Sequence, residues 1–598
     1  MVATASGPAL SADGTDTRAG SRAIREEKRR VAAPRVVLAA ALTVVVLAPV
    51  VLAVVSGSLA IPHNDAWSYS RIGQRFGETG EIRLLGWNRS ALVGQIVVLG
   101  PLAASVTAQQ IFVALLAGVA VLACYDLLAP AVGRFRAALA ALVLAIWPEL
   151  GLLATSFMSD VPALAAVLGC LALGRRALAR GSLPLLAGSL AVGLWGATIR
   201  EQALAAPVAV LLAALGSADP PGWRGRPIGA TAAVPPGRPI GATAAVPPVG
   251  GEVGSPVRAA IRFLARRRAV LAAGTAFGVA FLAFEWWRRT LTGDDPPAPL
   301  PDDPVLPDLL DVTVRGYFLL AIAVSPVVLA VARPWRWRAP ARLTAAGVGA
   351  VAVLAWHDYR LHGFLMSDYL LPRGPYPAAF RGDRSMFGEP VFQVLALLAA
   401  VSGVLLAGLL VQRWRRLDPM ARWFLLVTVG GLLATRAAGQ TVFGRYLVVL
   451  VPVLLLVALA GPRRPRPGWA GVVTGLGAAG FLAALSLVVT AYGSALDAAR
   501  WRAGEELVAS GVPATDIDAG FEWSGYHAPN GVDYVPKGTS LVNWYGAKFA
   551  DNRPCYVLAS SAQSEPGWHL VRTVDYRSYV LAGTARLWVY DTNRCPPP

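Results

Sequence analysis

The sequence predicts an all-α polytopic transmembrane bundle of about thirteen helices, followed by a small C-terminal extracytoplasmic α/β domain. Of the 598 residues, 55% are hydrophobic and only 15% are charged, which is too little charge for a chain whose whole surface faces water. The run 36–60 contains no charged residue, and it exceeds the roughly 20 residues that a helix needs to cross the hydrocarbon core. Similar runs recur along most of the chain, so neither a single anchor nor a cleaved signal peptide explains the pattern.

The basic residues between the apolar runs predict the orientation. Lys and Arg are concentrated before the first run and after every even-numbered one, and basic loops favour the cytoplasmic side. The N-terminus is therefore predicted inside and, after an odd number of crossings, the C-terminus outside, as in a multi-pass protein of the plasma membrane. The predicted helices span 36–60, 107–129, 137–154, 161–174, 182–198, 202–216, 269–287, 313–332, 343–356, 391–411, 423–435, 446–460 and 469–492.

Three segments outside the helices differ in composition. Residues 1–35 are polar and predicted to form a disordered cytoplasmic tail. Residues 217–268 contain the repeat GRPIGATAAVPP twice in tandem, which is typical of a flexible inner loop. Residues 61–106 form the first external loop. The net charge of +18 lies in short blocks between apolar runs, so it indicates topology and no nucleic-acid partner.

Residues 493–598 are predicted to form the extracytoplasmic domain. A helical pattern at 498–510 is followed by strand-like runs at 555–560 and 586–591. Cys555 and Cys595 lie in this domain, where an oxidising compartment favours a disulfide between them. Cys124 and Cys170 lie in apolar helices and are predicted to be buried thiols. Several aromatic side chains of the domain could bind sugars or form its core, and the core is favoured: Trp523, Trp544, Tyr545 and Trp568.

The segment IPHNDAWSYS (61–70) follows the first predicted helix and contains Asp65. Beyond it, Tyr69, Ile72 and Phe76 fall at helical spacing, which predicts an amphipathic helix along the membrane interface. Asp65 at its start could be a simple N-cap. Alternatively, a carboxylate at the boundary between water and lipid could be a general base, because partial desolvation raises its basicity.

Three further segments carry charges at predicted outer helix ends. Asp160 in SFMSDVPA (156–163) is either a second helix cap or a second acid of the same site. Arg200 in ATIRE (197–201) and Arg445, which precedes Tyr446, could bind a phosphate through their planar guanidinium groups. The alternatives for the arginines are snorkelling or pairing with a neighbouring acid such as Glu201.

Other catalytic patterns are absent from the sequence. The chain has no P-loop, no GxSxG elbow and no Rossmann glycine pattern between a strand and a helix. Its five histidines show none of the spacings of a zinc site. The sequence therefore requires no cofactor and gives no support for a metal, including a divalent one.

The layout of these motifs resembles the GT-C membrane glycosyltransferases, in the branch of protein O-mannosyltransferases and lipid A aminoarabinose transferases. The resemblance extends over 36–490 and implies that Asp65 is the catalytic acid of the first loop and Asp160 that of the second. It implies donor phosphate contacts for Arg200, Arg445 and Tyr446. Two family features are absent, since Asp65 is followed by alanine instead of glutamate and 86–95 lacks a His-Pro-Pro-Leu segment.

By this resemblance, the chain would move a sugar from a polyprenyl phosphate to a hydroxyl of a protein, lipid or cell-envelope glycan on the outer face. Polyprenyl phosphate is a weakly basic leaving group, so one base and one cation would suffice for a direct, inverting displacement. The main alternative is a polytopic transporter or lipid flippase, although such proteins usually place ionisable residues near the bilayer midplane. A scaffold that binds partners through its C-terminal domain would need no catalytic acid.

Overall fold

The computed structural model describes residues 32–85, 93–216, 256–291, 305–359, 369–371, 382, 386–460, 468–529, 549 and 554–594. The first 31 residues of the predicted tail, both copies of the tandem repeat and Cys595 lie outside the described residues.

Most of the described chain is helical, as the sequence predicts. The longer helices are α1 (Ala32–Ser56), α4 (Val106–Val132), α7 (Asp160–Arg180), α8 (Leu183–Ile199), α10 (Pro256–Arg288), α11 (Val305–Val331), α12 (Ala339–Tyr359), α13 (Glu389–Arg413), α14 (Pro419–Ala437) and α16 (Trp469–Ala509). Shorter ones are α2 (Ala66–Thr79), α3 (Val93–Ala104), α5 (Arg134–Ala145), α6 (Pro148–Leu153), α9 (Glu201–Gly216), α15 (Gly444–Leu459) and α17 (Phe521–His527).

Nine helices within the described residues are long and apolar enough to cross a membrane, and four shorter apolar helices accompany them. The chain is thus an integral membrane protein, whereas the count of thirteen crossings is not confirmed. Large apolar side chains such as Leu282, Val353 and Leu476 are about two-thirds exposed. On a spanning helix such exposure suits contact with lipid.

Two predicted helices differ from the structure. The predicted helix 137–154 is divided into α5 and α6 at Trp147, whose backbone is extended (φ −59°, ψ 123°) before Pro148. Proline lacks the amide donor and disfavours helical geometry in the residue before it, which explains the break. The predicted first helix ends at Ser56 instead of residue 60, because Gly57 adopts a left-handed conformation (φ 87°).

The predicted external loop 61–106 contains two helices, of which the sequence predicted only the amphipathic one beginning after Asp65. That helix is α2, and its residues Trp67, Tyr69 and Ile72 are buried. The second is α3, which is too short to meet the length expected of a spanning helix.

The last membrane helix and the first helix of the predicted C-terminal domain form one continuous helix, α16, of 41 residues. At 1.5 Å per residue it is about 60 Å long, roughly twice the thickness of the hydrocarbon core. The predicted boundary at residue 493 therefore lies within a helix, and the helix connects the bundle directly to the C-terminal part of the chain.

A four-stranded sheet completes that part. Its strands are β1 (Ile517–Asp518), β2 (Tyr556–Ala559), β3 (His569–Tyr576) and β4 (Ala585–Asp591). They lie in the order β1-β2-β4-β3, with β1 parallel to β2 and the other pairs antiparallel. The predicted strands at 555–560 and 586–591 correspond to β2 and β4. The short β1 and the largely exposed edge strand β3 were not predicted, because neither shows a buried apolar alternation.

Candidate active site

Four charged residues from separate parts of the chain meet at the ends of four helices. Asp65 immediately precedes α2, Asp160 is the first residue of α7, Arg200 immediately follows α8, and Arg445 is the second residue of α15. Since α7 and α8 are consecutive helices joined by a short turn, the start of the first lies beside the end of the second. The site is therefore assembled by the topology of the bundle.

An alternating chain of charges connects the four side chains. Arg200 donates from Nη1 to Oδ1 of Asp160. The Nε of Arg445 lies 3.5 Å from that same oxygen, and its Nη2 donates to Oδ2 of Asp65 at 3.3 Å. We call these four residues the open cluster. The structure thus brings together both acids and both arginines that the sequence singled out.

The two acids do not act as helix caps. Asp65 occupies the N-cap position of α2, but its side chain makes no capping hydrogen bond. Asp160 lies one residue inside α7, where Ser159 is the N-cap. Both carboxylates lie within ion-pair distance of Arg445, so the capping interpretation does not explain either residue.

The acids differ in their access to solvent. The side chain of Asp65 is 21% exposed and that of Asp160 only 1%. The second carboxylate oxygen of Asp160, Oδ2, is buried and has no hydrogen-bond partner among the described residues. Buried carboxylate oxygens nearly always accept a hydrogen bond, so this atom is suited to accept one from a bound hydroxyl group.

Aromatic rings hold the two guanidinium groups in place. The Cζ of Arg200 lies 4.0 Å from the centre of the Tyr446 ring. The Cζ of Arg445 lies 4.4 Å from the Phe443 ring, and the rings of Phe443 and Tyr446 meet edge to face at 5.4 Å. Because arginine is always charged and stacks on aromatic faces, these rings fix two positive charges at one place.

Sequence reasoning used Tyr69 only to predict the amphipathic helix, and it gave no catalytic or binding role to Tyr69 or Phe443. Tyr69 lies one helical turn after Asp65 and is 7% exposed, and a spacing of four residues from Asp65 was the available signal. Burial raises the pKa of the Tyr69 phenol, and the charge of Asp65 raises it further. The phenol therefore stays protonated at neutral pH and can donate a hydrogen bond to an anion.

Glu201 is not the partner of Arg200. Its carboxylate lies 3.5 Å from Arg288 at the end of α10, while Arg200 pairs with Asp160. The alternative in which Arg200 pairs with its sequence neighbour is therefore wrong.

No group of three His, Cys, Asp or Glu side chains suited to a metal ion occurs in the part of the chain that the structure describes. Cys124 and Cys170 are free and buried, as predicted. Cys555 is disulfide-bonded, and because Cys595 lies outside the described residues, the pairing of these two cysteines stays a prediction.

Comparisons with known proteins give structural neighbours only, since no family model and no curated protein matches the chain. One neighbour is ArnT from Cupriavidus metallidurans, solved with bound undecaprenyl phosphate. It is 12% identical over 92% of this chain and 98% of its own, with a TM-score of 0.40. A second is the oligosaccharyltransferase AglB from Archaeoglobus fulgidus, solved with an inhibitory peptide and a dolichol-phosphate. It is 10% identical over 86% of this chain and 69% of its own, with a TM-score of 0.29.

Both neighbours are GT-C glycosyltransferases, the superfamily that the sequence motifs resemble. Their identities are low and both TM-scores lie below 0.5. The geometry of the open cluster, and not these similarities, therefore supports the function proposed below.

Proposed function

We propose that the protein is a membrane glycosyltransferase that moves a sugar from a polyprenyl phosphate to a hydroxyl group on the outer face of the plasma membrane. One observation carries the proposal. Asp65 keeps a partly exposed carboxylate at the end of an ion-pair chain that holds two guanidinium groups beside it. A base and a fixed positive charge are the two elements that displacement of a phosphate from a sugar requires.

Asp65 is the base in this proposal. Its carboxylate is the more accessible of the two acids, and Arg445 orients it at 3.3 Å. The oxygen of the acceptor hydroxyl forms a bond to the anomeric carbon while its proton passes to Asp65. The bond between the anomeric carbon and the phosphate oxygen breaks, and its electron pair leaves with the polyprenyl phosphate. The configuration at the anomeric carbon is inverted.

The arginines and Tyr446 receive the phosphate. The guanidinium groups of Arg200 and Arg445 both lie close to Asp160 Oδ1, and the guanidinium group of Arg200 stacks on the Tyr446 ring. Fixed donors of this kind stabilise charge that develops on a leaving group. Asp160, which is almost fully buried, orients both arginines and can accept a hydrogen bond from the substrate through Oδ2. We therefore assign Asp160 to positioning instead of proton transfer.

The outer leaflet supplies the donor in this proposal, which places α2 and the C-terminal part of the chain outside the membrane. The acceptor is a hydroxyl group of a protein, a lipid or a cell-envelope glycan. A general base at Asp65 needs only a hydroxyl proton to remove, so its chemistry does not distinguish these three acceptors. In this proposal the guanidinium groups of Arg200 and Arg445 supply the positive charge beside the phosphate.

Reconstitution into liposomes with radiolabelled polyprenyl-phosphate sugars tests the proposal. Wild type should transfer label to a hydroxyl acceptor, and Asp65→Asn should lose about 10²–10⁴-fold in rate, the usual contribution of a positioned base. Equal expression and an unchanged melting temperature serve as controls. Activity of Asp65→Asn within a few-fold of wild type would refute the role of Asp65 as the general base. Uptake of solute without label transfer would instead support the alternative that the protein is a transporter.

A further inference from the structure

A second cluster of ionisable side chains lies next to the open cluster and is fully buried. It consists of His63, Asp497, Arg500 and Glu522, and we call it the sealed cluster. Asp497 and Arg500 are on α16, Glu522 is on α17, and His63 is two residues before Asp65. The side chains of all four are at most 3% exposed.

Hydrogen bonds connect all four members. Arg500 donates to both carboxylate oxygens of Glu522, at 2.9 and 3.2 Å. It also donates to Oδ1 of Asp497, whose Oδ2 pairs with Nδ1 of His63. A buried ion pair is a poor source of net stability, since apolar side chains of similar size usually serve as well. We therefore look for the role of this buried ion cluster in the chain segments that it holds together.

The sealed cluster holds the turn that carries Asp65. The backbone amide of Asn64 donates to Oε1 of Glu522 at 3.4 Å, and Asn64 has a positive φ of 49°, which asparagine tolerates better than most residues. On the other side of the turn, the Ser156 hydroxyl donates to the carbonyl of His63 at 3.3 Å. Asp65 thus follows a residue whose backbone is fixed by Glu522.

Helix α17 also packs directly on α2, immediately beyond Asp65. The Trp67 ring meets Phe521 at 6.2 Å, and a side chain at Gly525 would collide with it, since a Cβ there would lie 2.3 Å from a Trp67 ring atom. Arg71 donates to the carbonyl of Gly525 at 3.0 Å and to that of Ala528 at 2.7 Å. The close contact therefore requires glycine at 525.

We infer that the C-terminal part of the chain is a positioning element of the active site, acting through the sealed cluster to hold the Asp65 carboxylate beside Arg445. Glu522 and Arg500 are its principal positioning residues. The inference rests on the function proposed above only for its catalytic consequence, since the effect on the Asp65 turn is independent of the reaction.

Glu522→Gln tests the inference, because it keeps the shape of the side chain and removes the charge that Arg500 binds. A displacement of about 1 Å can cost about 10²-fold in rate, so kcat should fall by about 10–100-fold while KM for the donor stays within about threefold. In hydrogen–deuterium exchange of the protein in nanodiscs, amides of 61–72 should exchange at least about tenfold faster, because local opening sets the exchange rate. Asp497→Asn serves as a second variant if the first does not fold.

Glu506→Gln is the matched control. Glu506 lies on α16, the helix of Asp497 and Arg500, and pairs with Arg572 at 2.7 Å. Both side chains are more than 40% exposed, so neither kcat nor exchange at 61–72 should change. Wild-type kcat and unchanged exchange in Glu522→Gln would overturn the inference. If wild type transfers no sugar but Glu522→Gln still accelerates exchange at 61–72, the positioning role stands and the proposed reaction is wrong.

Discussion

The open and sealed clusters contain the same kinds of side chain, but we assign the open cluster to the reaction and the sealed cluster to positioning. Each contains two carboxylates bridged by guanidinium, and each joins segments that are distant in sequence. In the sealed cluster, Arg500 binds both oxygens of Glu522 and every side chain is buried. In the open cluster, Asp65 retains 21% exposure and Asp160 retains an oxygen without a partner among the described residues.

The difference shows how a structural ion cluster can be distinguished from a site. Both contain carboxylates bridged by a guanidinium group, so the presence of an ion cluster does not identify function by itself. Access to solvent does distinguish them, because a substrate can reach the Asp65 carboxylate, which is 21% exposed, whereas every side chain of the sealed cluster is at most 3% exposed. We therefore expect Arg445→Met in the open cluster to reduce activity more than stability, and Arg500→Met in the sealed cluster to reduce stability more.

Arg445→Met and Arg500→Met compare the clusters directly. Arg445→Met should lower kcat/KM by about 10²–10³-fold, the usual cost of removing a group that stabilises charge in the transition state. Its effect on stability should be small, since Asp65 is partly solvated and Asp160 keeps Arg200. Arg500→Met should cost about 3–5 kcal/mol in the free energy of unfolding, because it leaves Asp497 and Glu522 buried without their partner.

Thermal unfolding in detergent and transfer assays in liposomes measure the two quantities. The distinction between the clusters would fail if Arg445→Met lowered the melting temperature as much as Arg500→Met while leaving transfer intact.

Sequence reasoning predicted the members of the open cluster but not those of the sealed one. Asp65, Asp160, Arg200 and Arg445 each lie at the end of an apolar run, where a lone charge is conspicuous and topology constrains its position. The ion pairs between these side chains could not be predicted, because they depend on how α2, α7, α8 and α15 pack.

The sealed cluster gave no such signal. Asp497 and Arg500 form an ordinary i, i+3 pair in a helical pattern, and Glu522 lies in a short segment outside the apolar runs, where a charge is common. Their burial results from the continuation of α16 beyond the membrane. We predicted a domain boundary at residue 493 because the uncharged apolar run ends near there. The helical pattern nevertheless continues past this residue, and the structure has one helix across it.

His527 offers a smaller test at the same interface. It packs against Trp523 and Trp501, with ring centres 4.3 and 5.8 Å away, and burial, aided by Arg71, lowers its pKa to about 4. The unfolded chain binds this proton below about pH 6.5, so the folded state loses stability as the pH falls from about 6.5 towards 4 and keeps it above 6.5.

Melting temperatures at pH 7 and pH 5 measure this effect. Wild type should lose more stability at pH 5 than His527→Phe does, whereas His569→Phe, at an exposed position, should behave like wild type. Equal losses in wild type and His527→Phe would show that His527 does not resist protonation in the folded protein.

The central claim is that Asp65 removes a proton in a single displacement and forms no bond to the sugar. The anomeric configuration of the first product, determined by NMR against that of the polyprenyl-phosphate donor, tests it most directly. Inversion is the predicted result. Retention would contradict the account, because two successive displacements would make Asp65 a nucleophile.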